Sequence, residues 1–103
     1  MRSVFSDEAW ADYLYWQKHD RRMLERINNL ILETKRDSFN GIGKPEALKH
    51  ALSDFWSRQT TDEHRMIYRV DGDDRLIAQL RHHYMYGLLY SLSKFLSRTQ
   101  PFG

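Results

Sequence analysis

The chain has 103 residues, enough for one compact core and too few for two, and its 16 Lys and Arg against 14 Asp and Glu leave a formal charge of only +2. That balance does not announce nucleic-acid binding, so position has to carry any such argument. Cysteine is absent, which excludes disulfides and thiolate metal sites and fits a reducing compartment. No apolar run approaches the ~20 residues of a membrane span, and the N-terminal stretch lacks a signal-peptide core. The expectation is a soluble cytoplasmic protein.

Arg2 to Phe5 reads as a short extended start, a strand added to a sheet. Ser6 followed by Asp7 and Glu8 is a helix-start signal: the hydroxyl accepts from free backbone N–H groups, and the acids suit the positive end of the helix dipole. Ala9, Trp10, Tyr13, Leu14 and Gln17 then fall at helical spacing. Asp20 can cap a second helix whose Met23, Ile27, Leu30, Ile31 and Thr34 repeat at three and four residues and which ends in Lys35-Arg36. Two helices in succession make a helical hairpin. Trp10, Tyr13, Tyr15 and Trp16 invite a base-stacking reading, but their helical spacing favours core packing for at least half.

Asp37 to Pro45, with two glycines and a proline, cannot continue the helix and reads as a loop. Residues 46–52 suit either one helical turn or an irregular strand. Phe55 to Thr60 suits a strand with one aromatic ring on each face, and Thr61-Asp62 a turn. His64 to Tyr84 then reads as a β-hairpin, with Met66, Tyr68 and Val70 alternating against Arg65, Ile67 and Arg69 around the turn Asp71-Gly72-Asp73-Asp74. If the even-numbered residues of both strands face one core, 66, 68 and 70 pair with 80, 78 and 76. Arg65 then lies opposite Arg81 and diagonal to His83, so that cations and an imidazole share the other face. After Tyr84, Met85, Leu88, Leu89, Leu92, Phe95 and Leu96 form an amphipathic helical stripe. The element order predicts an α+β fold: an antiparallel sheet with both helices on one face and the other face left for a partner.

The segments WADYLYWQKHDRRMLERINNLI, FNGIGKPEALKHALSDFWSR, EHRMIY and RHHY together resemble the YoeB/Txe toxins of the RelE/ParE superfamily over residues 1–84. The resemblance divides the chain into a toxin domain, 1–84, and a C-terminal extension, 85–103. It implies a microbial-ribonuclease-like fold and a ribosome-dependent endoribonuclease that cuts messenger RNA in the A site of the 70S ribosome. A YefM-like antitoxin that wraps and silences the toxin is implied as partner, with DNA reached only through that complex; homodimerisation is left open.

Carried over residue by residue, the resemblance makes Glu46 the general base, Arg65 the phosphate contact and His83 the general acid, with Tyr84 in support. The chemistry asks for such groups. When the ribose 2′-OH is the nucleophile, a protein must remove its proton, stabilise charge on the phosphorane and protonate the leaving 5′ oxygen. Neither metal nor cofactor enters, and the histidines have no metal-ligand spacing such as H-E-x-x-H. Taken alone, Glu46 is an ordinary solvated acid and Arg65 a surface cation beside Glu63. His82 and His83 have opposite parity, and only His83 matches Arg65. Lys44, Lys49, His50, Arg58 and Arg81 are expected contacts to messenger or ribosomal phosphates.

Two features depart from the family. Gln59 stands where a second arginine is usual, and relatives end at the tyrosine. For residues 85–103 three readings stand side by side: an artefact, a helix packed on the body, or a lid over the RNA entrance. The competing function is a non-enzymatic or silenced protein of the same fold that sequesters antitoxin or inhibits another target.

Overall fold

A computed structural model describes residues 2–49, 54–61 and 63–81. His50, His83, Tyr84 and the extension 85–103 lie outside the described residues, so the expectations placed on them do too. Strand β1 (Arg2–Phe5) leads into α1 (Asp7–His19), α2 (Arg21–Arg36), β2 (Glu46–Ala47), β3 (Phe55–Gln59), β4 (Arg65–Asp71) and β5 (Asp74–Gln79).

Both helix starts form as their residues dictate. The Ser6 hydroxyl accepts from the Ala9 N–H at 3.0 Å, and the Asp20 carboxylate accepts from the Met23 N–H at 3.0 Å. All five apolar-spaced positions of α2, from Met23 to Thr34, are buried. The buried line of α1 runs instead through Ala9, Asp12 and Trp16. Trp10, stacked on Tyr13 with ring centroids 5.7 Å apart, is still 50% exposed.

The strands form one sheet in the order β1-β5-β4-β3-β2. It is mixed, not wholly antiparallel: β1 runs parallel to β5, with Val4 beside Leu76. Alternation along a strand reveals its faces and not the direction of its neighbour. Residues 46 and 47, which fitted either a turn or a strand, form a two-residue strand against β3, with Glu46 opposite Ser57.

The hairpin departs from the expected register. Its turn is closed by the pair Asp71–Asp74, with Gly72 at φ 57° supplying the left-handed residue, so Tyr68 faces Ile77 and Val70 faces Arg75. A bulge in β5 then takes up one residue and brings Ile67 opposite Gln79. Consequently Met66, Tyr68, Ile77 and Leu80 join Ile27, Leu30 and Trp16 under the helices. Leu76 and Ala78, expected there, turn to the opposite face with Phe55 and Ile67. That opposite face therefore carries a second apolar cluster, with Val4 and Leu48 against it, where an open surface was expected.

Candidate active site

β3 lies between β2 and β4 and sets the site. Glu46 pairs with Ser57, Ser57 with Ile67, and Gln59 with Arg65, so these residues share the sheet face turned away from the helices. Arg65 is exposed, and its Nη1 donates to the Ser57 Oγ at 3.2 Å. A carboxylate-bearing position and a guanidinium thus meet at one buried serine. Glu46 is also exposed, and its carboxylate makes no hydrogen bond to another described residue. A carboxylate and a guanidinium are thereby left accessible to a ligand.

The strap that carries Glu46 to this face is the loop from Asp37 to Pro45, and Arg58 holds it. The Arg58 guanidinium is 0% exposed and donates to the carbonyls of Asp37 (2.6 Å), Asn40 (2.9 Å) and Ile42 (3.1 Å), while its Nε donates to the Tyr68 hydroxyl at 3.1 Å. Tyr68 in turn donates to the Ser38 carbonyl at 2.7 Å. This corrects the expectation that Arg58 contacts RNA phosphate. The alternation that puts Ser57 on the open face sends Arg58 under the helices, where loop carbonyls consume its donors. Burial pushes the Tyr68 phenol up from its ordinary value, against the opposing influence of the Arg58 cation.

Gly43 completes the strap. At φ 85° its carbonyl accepts from the Gln59 N–H at 2.7 Å, and a Cβ there would come within 2.9 Å of Leu30 Cδ2 and 3.1 Å of Arg58 Cβ. Lys44 follows at φ 50°, a left-handed conformation rare for a side chain of its size, immediately before Pro45 and Glu46. Lys44 and Lys49 are exposed.

Arg81 is the second correction. β5 ends at Gln79, and the Arg81 guanidinium stacks 3.6 Å from the centroid of the Tyr15 ring on α1, so it does not share a face with Arg65. The chain is held at this point by α1: the Asp12 carboxylate accepts from the N–H groups of Leu80 (2.9 Å) and Arg81 (3.2 Å), and the Trp16 indole donates to the Leu80 carbonyl at 2.9 Å. Sequence reading passed over Asp12 and Ser57. The signal for Asp12 was an acid three residues after Ala9 and four before Trp16, on the buried line of an amphipathic helix. For Ser57 it was a small hydroxyl flanked by Trp56 and Arg58.

The arrangement is that of a small α+β toxin of the type II toxin-antitoxin systems. It superposes with a TM-score of 0.79 on a solved YoeB/ParE toxin from Agrobacterium tumefaciens, 46% identical, covering 82% of this chain and all of that one. A YoeB dimer from Staphylococcus aureus matches at TM-score 0.77 and 40% identity, over 82% of this chain and 98% of that one. The toxin in a heterotetrameric YoeB-YefM complex from the same organism matches at 0.76 and 41%, over 80% and 95%. In sequence, Toxin YoeB of Escherichia coli K12 is 55% identical over 84 residues, 82% of this chain and the whole of that protein. Residues 5–84 match the profile of the YoeB-like toxins of bacterial type II toxin-antitoxin systems, and the chain belongs to that family.

Proposed function

We propose that this toxin is a ribosome-dependent messenger-RNA endoribonuclease that cleaves by transesterification through the ribose 2′-OH, acting in the cytoplasm and held in check by a YefM-like antitoxin. The observation that carries the reading is the convergence of the Glu46 position and the Arg65 guanidinium on Ser57. Glu46 takes the 2′-OH proton, Arg65 neutralises the phosphorane, and His83 protonates the leaving 5′ oxygen, with Tyr84 supporting it. Lys44, Lys49 and His50 meet the surrounding phosphates. A domain this small cannot by itself enclose and orient a flexible strand, so the ribosome supplies the positioning.

The test is single-turnover cleavage of message on programmed ribosomes by wild type, Glu46→Gln and His83→Ala. Each variant is expected to lose roughly 10²–10⁴ in rate while still binding ribosomes. A message with 2′-deoxyribose at the cleavage position must stay intact, because the nucleophile is gone. Wild-type activity equal to that of both variants, or vigorous cutting of the deoxy message, overturns the assignment. Antitoxin binding without any ribosomal cleavage supports the silenced protein instead.

A further inference from the structure

Beside the candidate active site, a cavity of about 270 Å³ opens between Arg26 of α2, Gly43 and Lys44 of the strap, and Gln59, Thr60 and Thr61 at the exit of β3. Two of these six residues are cations, and none is a carboxylate. Among the described residues Arg26 spends one donor, on the Gln59 carbonyl at 3.5 Å, of the five that a guanidinium carries. The Thr61 hydroxyl accepts from the N–H groups of Glu63 (3.3 Å) and His64 (3.2 Å), which leaves its own proton to donate. The left-handed backbone of Lys44, fixed by the Gly43–Gln59 hydrogen bond on one side and Pro45 on the other, sets the direction of that cation. Strained backbone held by its surroundings is characteristic of ligand-binding segments.

The cavity also adjoins the site through its own lining residues. Gln59 pairs with Arg65, and Lys44 lies two residues before Glu46. With only Pro45 between them and both peptides trans, the Cα atoms of Lys44 and Glu46 are no more than about 7.6 Å apart, on the scale of one nucleotide step of RNA. We propose that this cavity binds an RNA phosphodiester, held by Arg26, Lys44 and the Thr61 hydroxyl, next to the phosphate that Arg65 engages. The proposal rests on the nuclease reading above and deepens it. It also accounts for the neutral Gln59: with Arg26 and Lys44 already at this cavity, a phosphate can be matched without a third cation on β3. The phosphate comes either from the messenger strand or from ribosomal RNA, and both present the same charge.

The experiment measures the dissociation constant of the full chain for ribosomes programmed with a deoxy-blocked message, over a series of salt concentrations. The variants are Arg26→Gln, Lys44→Gln and the double. The double is expected to bind roughly tenfold more weakly, with a log–log salt slope shallower by about 0.7 for the lost phosphate. Lys44→Gln alone, changing an exposed side chain, gives a smaller loss of the same sign and keeps the test valid should the double variant fold poorly.

A second message carries an uncharged methylphosphonate at the linkage adjacent to the blocked one. If the messenger supplies the phosphate, this message weakens wild type as much as the double substitution does, and the double loses nothing further. If ribosomal RNA supplies it, wild type ignores the methylphosphonate and the double is weak on both messages. Unchanged affinity and slope in Lys44→Gln and in the double overturn the proposal. Failure of the nuclease reading looks different: an all-ribose message stays whole while binding remains charge-dependent.

Discussion

The two faces of the sheet use the same side chain for opposite ends. Under the helices, the Arg58 guanidinium is fully buried, and four oxygens, three of them loop carbonyls, take up its donors. On the other face, Arg65 is exposed and, among the described residues, makes one hydrogen bond, to Ser57. A buried cation is tolerated only when the protein itself satisfies it; one left unsatisfied at the surface is available to a ligand. The first builds the strap that delivers Glu46, and the second waits beside it.

The sharpest way to break this contrast is Arg58→Met, which leaves three carbonyls and the Tyr68 hydroxyl without their donor. A loss of about 3–5 kcal/mol is expected in denaturant unfolding; a loss below ~1 kcal/mol means that something else holds the strap. Tyr68→Phe removes one link of the same network and should cost about 1–2 kcal/mol near neutral pH. It also carries a pH signature. The buried phenol has its value raised above the ordinary 10.0, so the stabilisation from keeping it neutral is complete below pH 10.0 and is lost as pH rises through the folded-state value. Wild type should therefore lose stability faster than Tyr68→Phe on the alkaline side, as followed by denaturation midpoints; parallel curves remove the burial argument. Smallest in stability is Arg65→Gln, expected within ~0.5 kcal/mol of wild type. Its ribosomal cleavage should nonetheless fall by about 10²–10³.

Much of the fold was legible because it depends on neighbours in the chain. Ser6 and Asp20 announce both helices through hydroxyl and carboxylate caps, and the spacing of Met23, Ile27, Leu30, Ile31 and Thr34 marks the buried side of α2. Asp71-Gly72-Asp73-Asp74 marks the turn, and Gly72 does take the left-handed conformation. The hairpin faces were misread because both strands of the hairpin are apolar on both sides: Leu76 and Ile77 are each buried, on opposite faces. Alternation carries no information where each face has its own core. The site was legible only in part, since Arg65 could be placed on a face by parity, while Glu46 needed the family pattern.

Local chemistry in the sequence therefore determined where helices begin, which side of α2 is buried and where the chain turns back. Parity along the strand also put Arg65 on a face, whereas Lys44-Pro45-Glu46 stood out only through the family pattern. Only the tertiary structure decided that β1 runs parallel to β5, that a bulge shifts the hairpin, that loop carbonyls take up the Arg58 guanidinium and that Arg81 stacks on the Tyr15 ring. The reason is physical. A cap or a turn is satisfied within a few residues, whereas the partner of a strand or a guanidinium lies tens of residues away and is chosen by whichever arrangement leaves the fewest buried polar groups unpaired.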